Sequence, residues 1–279
     1  MQAAGNDFVI IDARKEKYDW NKLARNMCDR HFGVGADGLI TVGKDNNSNL
    51  FMRIFNADGS EAEACGNGMR CFAKFVTDYG IASGRILKIK TISGIKTATV
   101  FKSNGKVNRV RVNMGSPEFK AEKIPVSIKN VKKSFDIMLP IEHSLNLDGN
   151  NINLSFVSMG NPHAITFIHG PVANFKLTEI GPKIEKHAIF PQKTNFEVAR
   201  VVNRKAIESR VWERGVGETL ACGSGACAIA VTAIKKGLVD NMVDIKMPGG
   251  KLEISWDSEG DIFLTGQAEE VFKGEWLLN

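Results

Sequence analysis

The sequence predicts an α+β fold of two pseudo-symmetric domains from an internal duplication, each with mixed β-strands wrapped around a central buried helix. Three observations support this prediction. Short β-branched and aromatic runs recur along the chain, two helical segments are apolar on almost every face, and the regions around these two segments align with each other.

Strand-like runs occupy residues 8–11, 39–42, 107–112 and 152–157, with turn residues between them. Asn104 and Gly105 interrupt one pair of runs. Because both residue types tolerate positive φ, this dipeptide predicts a tight hairpin turn. We therefore expect a strand-rich chain with few helices.

Two segments, residues 69–76 and 226–234, are apolar on nearly all faces and follow glycine-rich turns. Such helices are usually buried all round, and Gly80 and Gly237 provide their C-terminal stops. A shorter helix is predicted behind the capping residue Asp19, with apolar residues at helical spacing: Trp20, Leu23, Ala24 and Met27.

A shift of 157 residues aligns residues 53–80 with residues 210–237 without a gap, and eight of these 28 positions are identical. The identical pairs include Arg53/Arg210, Glu61/Glu218, Cys65/Cys222 and Gly80/Gly237. A shift of 155 pairs Gly5-Asn6 with Gly160-Asn161. We predict an N-terminal domain over 1–116, a C-terminal domain over 117–267, and a return of 268–279 to the first domain.

The composition is that of a soluble globular protein: 279 residues, 43% hydrophobic and 24% charged. No apolar run approaches the roughly 20 residues of a membrane span, and the N-terminal residues show no basic segment followed by an apolar core, so we expect a cytoplasmic protein. The formal charge of +6 comes from dispersed basic residues. This pattern favours a solvated surface and argues against nucleic acid as a partner.

The chemistry of the duplicated turns centres on Cys65 and Cys222, each of which precedes a glycine turn and an apolar helix. Free N–H groups and the helix dipole favour a thiolate there, so we expect both pKa values to fall from about 8.5 toward neutrality. Two such turns facing each other across one cleft could clamp a carboxylate between two thiols. This arrangement suits removal of a proton from the adjacent carbon by one thiolate and its return by the other thiol.

The other cysteines, Cys28, Cys71 and Cys227, fit buried packing positions, and all five thiols are expected to be reduced. The spacing of the cysteines and the lack of a neighbouring histidine argue against zinc or any other metal. No Lys-Ser/Thr follows either glycine turn, which argues against a phosphate loop. A redox dithiol stays open, although no Cys-x-x-Cys motif is present.

The chain resembles the diaminopimelate epimerase family over essentially its whole length. Six ordered motifs carry the resemblance: AGNDFVIID from Ala4, GVGADGLI from Gly33, FNADGSEAEACGNGMRC from Phe55, GNPH from Gly160, TNFE from Thr194 and ERGVGETLACGSG from Glu213. The resemblance implies a cofactor-independent enzyme that interconverts LL- and meso-2,6-diaminopimelate, a step toward lysine and peptidoglycan. It also implies a homodimer.

By resemblance, Cys65 and Cys222 are the acid/base pair, with Cys222 the proton acceptor and Cys65 the donor in the LL-to-meso direction. The positions that correspond to the family's substrate-binding residues are Asn6, Asn56, Gly66, Asn67, Asn161, Asn195, Glu213, Arg214, Gly223 and Ser224. Arg214 can fork onto a distal carboxylate, and Glu213 can accept from an ammonium group.

These residues could also have structural roles that do not involve a substrate. Each asparagine could simply form a turn, and Glu213 with Arg214 could be a solvated surface pair. His163 is either a partner of site residues or a satisfied histidine beside a turn, and we leave it outside the catalytic set. The chain also departs from the family: Gly38 stands where many relatives carry glutamine, and relatives extend several residues before the first motif.

Three functions stay open from the sequence. The first is the diaminopimelate epimerase, and the second is a racemase or epimerase of another amino acid such as proline or hydroxyproline. Those substrates lack a second amino acid end, which would leave Glu213 and Arg214 without a ligand. The third is a redox or non-catalytic protein in which Cys65 and Cys222 form a reversible disulfide.

Overall fold

A computed structural model describes residues 1–44, 50–62, 65–128 and 140–277. The chain divides into two compact units, the first comprising Met1–Asn113 with Thr265–Asn279 and the second Met114–Leu264. The domain boundaries predicted from the sequence lie after residues 116 and 267. Within the described residues, no helix is long and apolar enough to cross a membrane.

The first unit begins with strands that bracket two α-helices. Its elements are β1 (Gln2–Ala3), β2 (Asn6–Asp12), α1 (Trp20–Cys28), β3 (Gly38–Lys44), β4 (Leu50–Asn56), β5 (Glu61–Ala62), α2 (Gly66–Asp78), β6 (Ile86–Thr91), β7 (Gly94–Ser103) and β8 (Lys106–Gly115). Helix α1 joins the parallel strands β2 and β3, and β4 lies antiparallel to β3 and parallel to β6. Strands β6, β7 and β8 continue as an antiparallel meander.

Local signals in the first unit act as the sequence predicts. Asp19 caps α1 by accepting a hydrogen bond from the Lys22 N–H at 3.0 Å. Asn104 and Gly105 join β7 to β8 with φ values of 51° and 81°. Helix α2 is buried on nearly every face and packs against β1, β2, β3 and β7. Gly80 follows it with φ 67°, a conformation that glycine adopts without strain.

The second unit repeats this plan, with two described strands in place of one before its parallel pair. Its elements are β9 (Ile141–Leu147), β10 (Asn150–Ser158), β11 (Pro162–Phe167), a 3-10 turn (Val172–Asn174), α3 (Leu177–Glu185), β12 (Asn195–Asn203), β13 (Ala206–Glu213), β14 (Gly217–Thr219), α4 (Gly223–Lys235), β15 (Met242–Met247), β16 (Gly250–Ser255) and β17 (Ile262–Gln267). Helix α4 is fully buried over residues 225–234 and packs against β10, β11, β12, β15 and β16.

The two units share strand order, direction and register. The parallel strands β11 and β12 are joined through α3, as β2 and β3 are joined through α1. Strand β13 lies antiparallel to β12 and parallel to β15. In the first unit, β4 has the same relation to β3 and β6. The pair Leu39↔Phe55 becomes Phe196↔Trp212 under the 157-residue shift. The predicted α+β class, with mixed strands around a central helix in each unit, is confirmed.

Candidate active site

Cys65 and Cys222 occupy the same position in their respective units, at the N-cap of the central helix. Each has extended backbone dihedrals, with φ −145° and ψ 117° at Cys65 and φ −119° and ψ 118° at Cys222. Each Sγ accepts a hydrogen bond from the backbone N–H three residues on, Gly68 or Gly225, at 3.4 Å. Such a cap satisfies one of the N–H groups that a helix start leaves without a partner.

In the first unit, Cys65 joins a network of side-chain amides. Its thiol donates to Oδ1 of Asn6 at 3.7 Å, and the same oxygen accepts from Nδ2 of Asn67 at 3.3 Å. Arg70, which is fully buried, donates to Oδ1 of Asn67 at 2.8 Å, and Asn6 donates to Asp37 at 2.7 Å. The structure therefore brings together the predicted residues Asn6, Cys65 and Asn67.

Arg70 and Asp37 contact these site residues but are not among those predicted from the sequence. Arg70 carried a usable signal, because it is a charged residue inside a helix that is otherwise apolar on most faces. It also donates to the carbonyls of Gly66 and Gln267, at 3.3 and 3.2 Å. The buried guanidinium thus ties the first turn of α2 to a distant part of the same unit.

Asn56 lies in a turn at the end of β4. It is exposed, its Nδ2 donates to Oγ of Ser60 at 2.9 Å, and its carbonyl accepts from the Gly59 N–H at 2.9 Å. These contacts fit the alternative in which Asn56 forms a turn and does not bind a ligand. Gly38, across the strand pair from Asn56, leaves no room for a side chain because a Cβ there would lie 2.8 Å from the Phe55 carbonyl oxygen.

In the second unit, Cys222 is more deeply buried than Cys65, with 6% of its surface exposed. Burial raises the pKa of its thiol well above the usual range, and the carboxylates of Glu213 and Glu197 raise it further. The Gly225 N–H and the Ser224 hydroxyl, 3.4 Å from Sγ, favour the thiolate but do not offset these effects. The expectation that the pKa of Cys222 falls toward neutrality is therefore wrong.

Glu213 lies beside this thiol at the end of β13. It accepts a hydrogen bond from the hydroxyl of Thr219, and the interactions with Thr219 and the Cys222 thiol favour its charged form. Burial nevertheless raises the pKa of Glu213 above its ordinary value. Glu213 is thus a partly desolvated carboxylate at the cysteine and has no part in a solvated surface pair.

Arg214 is exposed, and the chain around it is held by Asn195. The buried Asn195 side chain accepts from the Arg214 backbone N–H at 3.0 Å and donates to the Pro162 carbonyl at 2.8 Å. One guanidinium nitrogen of Arg214 donates to the Gln192 carbonyl at 3.2 Å. Asn195 therefore positions the backbone that carries Arg214, while the other guanidinium N–H groups can reach a ligand.

His163 and Glu197 form a fully buried pair on the neighbouring strands β11 and β12. Nδ1 of His163 lies 2.6 Å from Oε1 of Glu197, and Nε2 lies 3.0 Å from Oδ1 of Asn161. His163 is therefore a partner of a predicted site residue. Glu197 was missed by the sequence analysis, although a carboxylate within the buried run of β12 was a signal.

The three remaining cysteines are packing residues, as the sequence predicts. Cys28, Cys71 and Cys227 are buried. Burial raises the pKa of Cys28 to about 11 and that of Cys71 to about 12. Thiols in such surroundings are inert at neutral pH.

The family model described as diaminopimelate epimerase matches residues 1–120 and 155–271. The chain belongs to the diaminopimelate epimerase family. Curated relatives of that name include one from Caldanaerobacter subterraneus subsp. tengcongensis, 46% identical over 99% of this chain and 97% of the relative. Another, from Halothermothrix orenii, is 45% identical over 100% of this chain and 96% of the relative. Membership of this epimerase family makes the chain an isomerase.

Solved structures of low sequence identity show the same fold as this member of the epimerase family. A phenazine biosynthesis protein of the PhzF family from Enterococcus faecalis has a TM-score of 0.66 at 14% identity, covering 98% of this chain and 94% of that one. A hydroxyproline epimerase from Agrobacterium vitis, with bound trans-4-hydroxy-L-proline, has a TM-score of 0.64 at 13% identity, covering 95% and 87%.

Proposed function

We propose that the chain interconverts LL- and meso-2,6-diaminopimelate without a cofactor, through an acid/base pair formed by Cys65 and Cys222. The observation that carries this proposal is the matched capping geometry of the two cysteines, each with Sγ 3.4 Å from an N–H of the first turn of a central helix. Family membership supplies the substrate.

Inverting the stereocentre requires one group to remove the α-proton and a second group to deliver a proton to the opposite face. One cysteine acts as thiolate base and the other as thiol acid, and the roles exchange in the reverse direction. In the LL-to-meso direction Cys222 accepts the proton and Cys65 donates. The raised pKa of Cys222 favours its protonated form in the free protein, which is the form that donates in the meso-to-LL direction.

Helix N-termini stabilise the negative charge that develops next to the substrate carboxylate. Gly66 and Asn67 begin α2, and Gly223 and Ser224 begin α4. The backbone N–H groups of a first helical turn and the positive end of the helix dipole favour an anion at that end of the helix. We assign these four residues to the reacting end of the substrate.

The distal end of the substrate is assigned to polar side chains of both domains. Arg214 is exposed and has guanidinium N–H groups that suit a carboxylate. Asn6, Asn56, Asn161 and Asn195 complete the proposed binding set, with Asn195 acting through the backbone of Arg214. The charge of Glu213 raises the pKa of the Cys222 thiol, which supports a role close to the reacting carbon as well as with an ammonium group.

The test is a substrate panel under reducing conditions. The protein should epimerise LL-diaminopimelate and leave proline and trans-4-hydroxyproline unchanged. Turnover of proline or hydroxyproline alone would assign the chain to another amino acid. No turnover of any of these, even with reductant, would favour a redox or non-catalytic role for the cysteines.

The cellular setting is part of the same proposal. The reaction lies on the route to lysine and peptidoglycan precursors, and an acid/base pair of thiols requires the reducing conditions of the cytoplasm. A homodimer is implied by the family resemblance and supported by exposed apolar side chains near the C-terminus, at Val271, Phe272 and Leu277. Sedimentation of the purified chain at micromolar concentration distinguishes dimer from monomer.

A further inference from the structure

The turn that follows β13 carries Arg214, and two buried side chains hold it at adjacent peptide groups. The N–H of Arg214 donates to Oδ1 of Asn195 at 3.0 Å, and the N–H of Gly215 donates to Oε1 of Glu185 at 3.0 Å. These two peptide groups flank the Cα atom of Arg214. Because each peptide group is planar, the two hydrogen bonds together fix the direction in which the Arg214 side chain leaves the backbone.

Glu185 reaches this turn from the last residue of α3. Its other oxygen, Oε2, accepts from the indole N–H of Trp212 at 2.8 Å. The direction of both hydrogen bonds is certain, because an indole nitrogen and a backbone amide can only donate and a carboxylate accepts. The carboxylate therefore binds the residue before and the residue after the pair Glu213 and Arg214.

The close packing of α3 on β13 brings Glu185 to the turn. A Cβ on Gly181 would lie 2.6 Å from two ring atoms of Trp212, so only glycine allows this approach. Residues four positions apart share one face of a helix, and the face that contacts the indole therefore also carries Glu185. Burial of a carboxylate is costly unless hydrogen bonds compensate it. Here the indole and Gly215 supply them.

The equivalent turn of the first unit forms without a buried carboxylate. A backbone N–H closes the turn on a carbonyl in both units, from Gly59 to Asn56 at 2.9 Å and from Val216 to Glu213 at 3.1 Å. The helices are equivalent too, because a shift of 157 residues superposes α1 on α3, residue for residue. From α1, the Asn21 side chain donates to the Gly59 carbonyl at 2.8 Å. The turn itself thus does not account for Glu185.

The two acceptors occur in the unit that carries the arginine. Under the 157-residue shift, the counterparts of Arg214, Asn195 and Glu185 are Ala57, Gly38 and Cys28. The alanine of the first unit has no side-chain group that could bind a ligand. The glycine and the cysteine offer neither an amide nor a carboxylate oxygen. Arginine and acceptors are therefore present together in one unit and replaced together in the other.

We propose that Glu185 is a positioning residue for the epimerase reaction, acting through the Gly215 peptide group on Arg214. With Asn195 at the preceding peptide group, Glu185 holds the guanidinium where it meets the carboxylate at the distal end of the substrate. The Glu185 side chain is buried against the turn and the indole, so its effect on the substrate passes through Arg214. This inference rests on the function proposed above, in which Arg214 binds that carboxylate.

Loss of this positioning should appear in KM. The distal carboxylate is remote from the reacting carbon, so weaker binding there affects ground state and transition state alike and leaves kcat unchanged. Glu185→Met keeps the side-chain length but offers no acceptor oxygen. We expect its KM for LL-diaminopimelate to rise about tenfold, with kcat within twofold of the wild type. A merely structural role gives the opposite pattern, because loss of folded protein lowers apparent kcat and leaves KM unchanged.

A conservative pair of substitutions tests rescue. Trp212→Phe removes the indole donor and leaves the Gly215 bond, so its KM should stay within threefold of the wild type. In that background Glu185→Gln still offers its amide oxygen to Gly215, and KM should again stay within threefold. The matched control is Glu179→Gln, which removes an exposed carboxylate of α3 that is paired with Lys176 at 3.4 Å. The control should keep wild-type kcat and KM.

A double variant tests the route through the arginine. Arg214→Ala removes the side chain that Glu185 positions, so adding Glu185→Met should change the KM of that variant less than twofold. Increases in KM that multiply in the double variant would overturn the proposal. A KM of Glu185→Met within twofold of the wild type would also overturn it.

Hydrogen exchange of the Gly215 amide, followed by NMR of the free protein, separates this inference from the proposed function. The amide should exchange slowly in the wild type and in Trp212→Phe, and faster in Glu185→Met. A wild-type Gly215 that exchanges as fast as an exposed amide overturns the inference even where diaminopimelate is epimerised. This measurement also decides the matter if Glu185→Met does not fold. A wild type with a protected Gly215 amide that fails to epimerise diaminopimelate overturns only the substrate.

Discussion

Oε1 of Glu197 lies so close to the backbone of Gly225 that a Cβ at this glycine would approach it to 2.8 Å. The contact places a buried carboxylate directly under the first turn of α4, the turn whose N–H group at Gly225 is bound by Cys222. The cap of the cysteine and the carboxylate beneath it therefore depend on the same residue having no side chain.

Gly225→Ala should consequently impair the enzyme more than Gly68→Ala. At Gly225 the added methyl group meets a carboxylate oxygen that already holds His163, so overpacking is expected to cost about 1–3 kcal/mol of unfolding free energy. At Gly68 it meets the flexible ends of Ile40 and Met52 at 3.1 and 3.3 Å, which can yield. Thermal unfolding and kcat/KM of the two variants provide the comparison, and equal losses would contradict the account of this contact.

Glu213→Gln should make Cys222 more reactive toward alkylation. Burial and the negative charge of Glu213 both raise the pKa of Cys222, so the thiol stays protonated at neutral pH and reacts only as the pH rises. Removing the charge lowers the pKa, and the alkylation midpoint should move to lower pH. Peptide mapping after iodoacetamide treatment over a pH series measures it. An unchanged or higher midpoint would show that Glu213 does not oppose the thiolate.

Arg70→Lys should weaken substrate binding. The guanidinium reaches the side chain of Asn67 and two backbone carbonyls at once. A lysine ammonium cannot match this fork. Asn67 then loses its orientation, and KM should rise by about tenfold. Arg25→Lys is the control, because Arg25 is exposed and its contact with the Asp58 carbonyl is a long one of 3.4 Å. Equal kinetics of the two variants would remove Arg70 from the site.

Arg210→Ala should destabilise the chain more than Arg53→Ala, although the two residues are equivalent. Arg210 binds Glu218 and also donates to the carbonyls of Val172 and Phe175, both at 2.9 Å. Its loss removes these charge-assisted hydrogen bonds together and should cost about 1–3 kcal/mol. Arg53 binds Glu61 and lies over the Phe55 ring, and its loss should cost about 1 kcal/mol. Urea denaturation ranks the two variants, and the reverse order would contradict this argument.

The local signals of the sequence predicted the fold because each acts within a few residues. Asp19 caps α1 by its own side chain, and Asn104-Gly105 turns β7 into β8 by backbone preference alone. The two central helices were predictable because nearly all of their faces are apolar, which indicates burial on all sides. The internal duplication appears in the structure as the same strand register in both units. It also appears as two equivalent ion pairs, Arg53–Glu61 and Arg210–Glu218.

The chemistry of the site was less predictable because it depends on residues far apart in sequence. The position of Cys222 before a helix predicts a low pKa, but burial and two carboxylates reverse the direction. Glu197 lies 25 positions before Cys222 and shows its role only when β12 packs beneath α4. The partners of Arg70 were likewise not predictable, because the carbonyl it binds at Gln267 comes from the far end of the chain.

The central claim is that two thiols act on opposite faces of one carbon. The most direct measurement is deuterium incorporation during epimerisation of LL-diaminopimelate in D₂O, read early in the reaction by mass spectrometry. With separate bases, the meso product should carry deuterium at its inverted carbon while the remaining LL substrate carries little. Cys65→Ala and Cys222→Ala should each abolish inversion. Equal deuterium in recovered substrate and product, or normal inversion by either variant, would contradict the claim.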